Sequence, residues 1–152
     1  MKEKGYLCRA RPKKEPKLGK PYHVTDNKLD RDFQADKPME KLVTDITYLY
    51  LGKCKLCLSS IMDLYNREIV AYTISDCQDT DFVLDTLHQL ELPQGAILHS
   101  DQGSVYTSKA YYQACVEKGI TRSMSRKGTS ADNACIEWFH SVLKSETFYL
   151  HK

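Results

Sequence analysis

Three acidic residues, Asp45, Asp101 and Glu137, stand where an acid needs explaining. Asp45 is the one charge in the apolar, β-branched and aromatic stretch Leu42–Tyr50, where an unpaired carboxylate is costly. Asp101 follows the apolar run Ala96–His99 in a His-Ser-Asp-Gln-Gly turn, and ligands of α/β sheets gather at such strand ends. Glu137 falls in the first turns of the last helical pattern, sharing a face with Asn133, His140, Ser141 and Lys144. Carboxylates brought together without basic partners repel one another unless cations neutralise them. Magnesium (or manganese) suits that task, because it takes a few carboxylates, keeps waters and completes its shell with substrate phosphates. Two such ions about 3.5–4 Å apart activate an attacking oxygen and stabilise a leaving one. Each acid alone also has a plainer reading. Asp45 could bridge to a Lys or Arg, Asp101 could make a turn, and Glu137 could complement a helix dipole.

The elements that must position these acids are legible in outline. Leu42–Tyr50, a strand over about Cys54–Leu64 and Glu68–Ser75 read as three strands joined by tight turns at Gly52-Lys53 and Asn66-Arg67, an antiparallel meander. Asp79 or Thr80 caps a helix running to Glu91, striped by Val83, Leu84, Leu87 and Leu90 and stopped by Leu92-Pro93-Gln94-Gly95. Ala96–His99 reads as a buried parallel strand. Thr107 or Ser108 caps a second helix ending near Lys118-Gly119, and Ile120–Met124 makes a fifth strand. A loop, Ser125–Ala131, leads to a helix from about Asp132 to Tyr149. Its core-facing stripe is Ile136, Phe139, Leu143 and Leu150, flanked by Trp138, Val142 and Tyr149. The predicted order is βββαβαβα, an α/β domain with a five-stranded mixed sheet, the order known for the ribonuclease H fold.

Composition bounds the class. At 152 residues with 41% apolar and 28% charged content, the chain suits one soluble domain and not a disordered or fibrous one. No apolar run approaches the roughly 20 residues of a membrane helix, and no apolar segment follows the basic N-terminus as in a secretory signal. The expectation is therefore a cytoplasmic protein with no membrane partner. Residues 1–41 hold 12 Lys/Arg against 7 Asp/Glu, 42–117 hold 4 against 10, and 118–152 hold 6 against 3. Basic flanks around an acidic middle suit a nucleic-acid backbone, although a Lys-rich terminus also serves mere solubility. Residues 1–37 carry little apolar periodicity and read as a basic, partly ordered arm ahead of a core over 38–152. Of the six cysteines, Cys54 and Cys57 have half-zinc-site spacing but no second pair nearby, and on a strand they point to opposite faces. Free buried thiols are expected instead.

Together the motifs carry a resemblance. Residues 33–75, the segment LHSDQGSVYTS (98–108) and the segment SRKGTSADNACIEWFHSVLKSE (125–146) resemble insertion-sequence transposases of the retroviral-integrase superfamily, specifically the second-reading-frame product of the insertion-sequence-three group. Asp101 and Glu137 have 35 residues between them, and Lys144 lies seven beyond Glu137, as in that family. The resemblance implies that Asp45, Asp101 and Glu137 are the catalytic, metal-binding carboxylates, with two Mg²⁺ or Mn²⁺ ions. Lys144 corresponds to a residue that touches transposon-end DNA. Ser125-Arg126-Lys127-Gly128 resembles the mobile loop beside the active site, which makes Arg126 and Lys127 DNA-contact candidates. His99 and Gln102 read as support for the Asp101 turn, Gly103 as a position of tight backbone geometry, and Asp63 as structural. The implied reaction is DNA 3′-end cleavage and strand transfer on transposon ends and target DNA, by a homo-oligomer when full length. Leu42 stands where a typical member has Trp. Members also carry an N-terminal helix-turn-helix and continue past the last helix, so the chain is expected to be a fragment truncated at its C-terminal end. Two alternatives stay open: a ribonuclease H-like nuclease, and a catalytically silent remnant that only binds DNA.

Overall fold

The computed structural model of the protein describes residues 23–148. The first part of the arm, and Tyr149 and Leu150 of the last helical pattern, lie outside the described residues. Strands β1 (Lys41–Leu51), β2 (Cys54–Asp63) and β3 (Ile69–Ser75) form the expected meander. After helix α1 (Thr80–His88), strand β4 (Ile97–Ser100) pairs parallel to β1. Helix α2 (Lys109–Glu117) then returns the chain to β5 (Thr121–Met124), parallel to β4. The sheet order is β3-β2-β1-β4-β5, so β1 and β4 are neighbours and Asp45 and Asp101 come from adjacent strands.

Alternation along the strands divides the core between the two faces of the sheet. Leu42 and Leu98 pack with Phe82, Leu87, Tyr106 and Tyr111 beneath α1 and α2. Val43 and Met62, on the opposite face, pack with Ile136 of the last helix and with Leu29. Leu29 is thus a core residue supplied from upstream of the sheet, and residues 23–33 lie against the domain through a series of hydrogen bonds.

Local signals set the element ends. Asp79 accepts a hydrogen bond from Phe82 N at 2.9 Å, and Ser108 one from Tyr111 N at 3.2 Å, each an N-cap. α1 ends at His88 and not at Glu91: Gln89 N and Leu90 N close tighter turns onto Thr86 O and Leu87 O. Gly95 then turns with φ +81°, a conformation that suits glycine.

The last helix departs most from expectation. Its continuous pattern resolves into a 3₁₀ turn (Ser130–Asn133), α3 (Ala134–Leu143) and a π-helical turn (Lys144–Phe148). The face of Asn133, Glu137 and His140, read as opposite the core-facing stripe, is itself partly inward: Asn133 and His140 are buried beside Ile136, while Trp138 is 68% exposed. Polar groups of the sheet explain the rotation. Thr44 O accepts from Asn133 Nδ2 at 3.2 Å, and Ser60 Oγ lies 2.7 Å from His140 Nε2. Among the cysteines, Cys57 and Cys115 are buried as free thiols, but Cys54 and Cys77 are exposed, where strand β2 begins and after β3 ends.

Candidate active site

Asp45, Asp101 and Glu137 line one cavity of about 480 Å³, together with Asn133, Gln102 and Lys127. Three separate elements deliver the acids: β1, the end of β4 and the first turn of α3.

Asp45 sits opposite Ser60 of β2. His140 bridges this pair from α3, with Nε2 at Ser60 Oγ and Nδ1 3.5 Å from Asp45 Oδ2. One histidine therefore ties the helix that bears Glu137 to the strand that bears Asp45. Asp101 is shaped by its own turn, with Oδ1 accepting from Gly103 N at 2.8 Å. A Cβ at position 103 would come within 2.9 Å of that same oxygen, so a larger residue there would push the Asp101 carboxylate aside. Burial raises the Asp101 carboxyl above its ordinary range; the Gly103 N–H opposes this and the Asp45 charge adds to it. Glu137 is raised by burial first, then by Asp45, with His140 opposing and Asp101 contributing. Neither Asp101 nor Glu137 has a Lys or Arg within ion-pair distance among the described residues.

The donors are hard oxygens of the kind that hold Mg²⁺ or Mn²⁺. Among the described residues no three His, Cys, Asp or Glu side chains stand close enough to cage a single ion. The three acids share one cavity, so an ion held there would take part of its shell from them and the rest from water and substrate. Asn133 strengthens the fit: its Oδ1 is buried at this cavity with no hydrogen-bond partner, and such an orphaned acceptor is rare in a folded protein.

The basic candidates separate. Lys127 reaches the cavity lining. Lys144 is half-buried at the end of α3, is absent from that lining, and pairs with no carboxylate among the described residues. Arg126 lines the cavity but is already engaged, donating to Asp132 through Nε at 2.9 Å, Nη2 at 2.7 Å and its backbone N at 3.0 Å. Asp132 is fully enclosed and also accepts from Arg31 Nε at 2.8 Å and Asn27 Nδ2 at 3.1 Å. The Arg126 hydrogen bonds above all hold its carboxyl far below the ordinary carboxylate range.

Behind Asp101, His99 Nδ1 lies 2.8 Å from Ser123 Oγ and Nε2 lies 3.0 Å from Ser125 Oγ. Ser123 Oγ already accepts the backbone N–H groups of Lys28 and Leu29. With both acceptor positions taken, its hydroxyl donates to His99 Nδ1, which leaves the His99 proton on Nε2 to meet Ser125. Burial lowers His99 to about 4, so it is neutral at neutral pH. Gln102 Nε2 donates to Ser125 O at 3.0 Å. His99 and Gln102 thus tie the Asp101 turn to the start of the 125–131 loop. Asp63 lies away from this lining, buried and accepting from Met39 N and Tyr65 N at 2.9 and 3.0 Å.

Residues 35–130 match the family described as Integrase core domain. The chain belongs to that family. It is 44% identical over 128 residues to the putative transposase InsK for insertion sequence element IS150 of Escherichia coli K12. That match covers 82% of this chain and 45% of the relative. A transposase-like protein of Haemophilus influenzae is 42% identical over 130 residues, covering 84% of this chain and 60% of that one. The chain thus spans about half the length of the curated relatives it matches. This integrase core is of the insertion-sequence transposase kind. Among solved structures, the integrase catalytic core domain of HTLV-2, in complex with magnesium in a dimeric form, superposes with a TM-score of 0.56 at 17% identity. The superposition covers 71% of this chain and 69% of that one, and it shows the ribonuclease H-like fold.

Proposed function

We propose that this integrase core carries the active site of a DNA transposase, cutting transposon 3′ ends and joining them to target DNA. The observation that carries the reading is the single cavity lined by Asp45, Asp101 and Glu137, with Asp101 and Glu137 raised partly by neighbouring acids. Asp45 with Asp101, and Asp45 with Glu137, would hold two Mg²⁺ or Mn²⁺ ions. When bound, such ions neutralise the acids, sharpen an attacking oxygen and stabilise the leaving one. The catalytic unit, expected over 38–152, is read as taking in residues 23–37 as well, since Leu29 is buried in its core and Phe33 and Ala35 pack against it.

The chain's own groups hold and orient. His140, hydrogen-bonded to Ser60, lies beside Asp45, the Gly103 N–H holds Asp101, and α3 presents Glu137 to the same space. In the first step a water oxygen bonds to phosphorus as the bond to the 3′ oxygen breaks, leaving a 3′-hydroxyl and a 5′-phosphate. In the second, that hydroxyl oxygen bonds to a target phosphorus, displacing the target strand's own 3′ oxygen. Lys127 at the rim, and Lys144 beyond it, offer point charges to DNA phosphates. Arg126 can do so only by giving up bonds to Asp132.

Among the described residues no helix is long and apolar enough to cross a membrane, and we infer a cytoplasmic protein working on DNA. The full-length protein is proposed to act as a homo-oligomer, in keeping with the dimeric form of the similar HTLV-2 core. The intact acidic trio speaks against a silent remnant. Incubation with supercoiled plasmid and Mn²⁺ tests the reading: the protein should nick DNA and join a supplied 3′-hydroxyl duplex end to it. Asp101→Asn and Glu137→Gln should do neither. Cleavage of RNA in a hybrid without end joining would favour a nuclease.

A further inference from the structure

The 125–131 loop forms one wall of the active cavity and is held at both ends by the same upstream segment. At its start, the backbone N–H groups of Lys28 and Leu29 donate to Ser123 Oγ at 2.8 and 3.0 Å. Those two bonds set the direction of the Ser123–His99–Ser125 chain. Met124 N also donates to Asp26 O at 3.3 Å. At the far end, Asn27 and Arg31 donate to Asp132, which in turn holds Arg126 by three hydrogen bonds. Leu29, 2% exposed, packs in the same cluster as Ile136 of α3, one residue from Glu137. A buried carboxylate stripped of donors is strongly unfavourable, so the donors on Asp132 decide where that end of the loop rests.

We propose that Asn27 and Arg31 are positioning residues for the active-site loop, acting through Asp132, and that segment 23–33 is a strap completing the cavity wall. Both residues lie upstream of the segment 35–130 that matches the integrase core domain. Neither Asn27 nor Arg31 lines the cavity, and both meet Asp132 instead. Their consequence is geometric: with the strap seated, Lys127 and Gly128 face the acids, and Arg126 stays on Asp132. This inference rests on the functional reading of the cavity, but its primary test needs neither metal nor DNA.

The test is amide hydrogen exchange of the whole chain carrying Asn27→Ala and Arg31→Ala, beside the wild type and Arg31→Lys. Exchange over residues 126–131 should quicken by at least about tenfold in the double variant, with β1, β2 and β4 unchanged. Arg31→Lys should restore part of the protection. In plasmid nicking, turnover should fall by about tenfold while the DNA concentration at half-saturation stays within about twofold, as expected for misplaced groups. Unchanged loop exchange would overturn the proposal, and so would a rise spread evenly over the domain. Should the double variant not fold, Asn27→Ala alone carries the test, with a selective loop increase of about threefold expected and none overturning it. A wild-type chain that never nicks DNA would count against the functional reading and leave the exchange result standing.

Discussion

Asp132 lies five residues before Glu137, yet it behaves in the opposite way to the cavity acids Asp101 and Glu137. Asp132 is wholly enclosed, yet it accepts from Asn27, Arg31 and three donors of Arg126, and its carboxyl is held far below the ordinary range. Asp101 and Glu137 are the more open side chains, yet they are short of donors and their carboxyls are raised. Burial alone therefore does not separate a structural acid from a functional one. The partners do. A carboxylate saturated with N–H groups is held charged, whereas a partly desolvated one facing other acids is pushed toward its protonated form.

That contrast can be broken from its stable side first. Asp132→Ala removes the acceptor of Asn27, Arg31 and Arg126 but leaves arginines that are about half exposed, so it should cost about 1.5–3 kcal/mol in urea unfolding, the range for hydrogen bonds to a charged group. A loss well under 1 kcal/mol would mean that Asp132 is not the anchor its hydrogen bonds describe. Acid sharpens the comparison. Asp132 contributes stability above the unfolded carboxylate value of about 3.9, and that contribution is lost as pH falls below it. His99, held at about 4, acts earlier. Unfolded histidine takes a proton near 6.5 while folded His99 does not, so stability should fall by about 1.4 kcal/mol per pH unit between those values. Urea midpoints measured from pH 7 to pH 4 would show the slope, and His99→Gln should flatten it. The cavity acids run the other way. Their raised values favour the protonated form in the fold, so their contribution is present in acid and is lost as pH rises through those values. Asp101→Asn removes that repulsion and should raise the metal-free melting temperature at neutral pH by roughly 1–3 °C. A fall would place Asp101 with Asp132 among the structural acids.

Much of the cavity was legible in the sequence because each acid violates a local expectation: a charge inside an apolar strand, an acid at a buried strand's end, a glutamate opening a helix. The element order followed from the meander and the alternation of strands with helices. The Asp132 anchor was not legible, since an aspartate ahead of a helix reads like any first-turn acid. Its partners Asn27 and Arg31 lie about a hundred residues upstream, in a stretch without apolar period. Only Leu29 and Phe33 there hinted at packing. The burial of His140 and Asn133 was missed for a different reason. A helical wheel gives relative directions, but which line meets the sheet depended on polar groups at Thr44 and Ser60 that the wheel does not contain. The orphaned Asn133 Oδ1 could be seen only once that rotation was known.

The most direct measurement is calorimetric titration of Mn²⁺ into the protein and into Asp101→Asn and Glu137→Gln, with and without a DNA duplex. Saturable binding by the wild type, strengthened by DNA and lost in both variants, is the expected result. Binding that survives in either variant, or no binding by the wild type even with DNA, would contradict a metal site built from these acids.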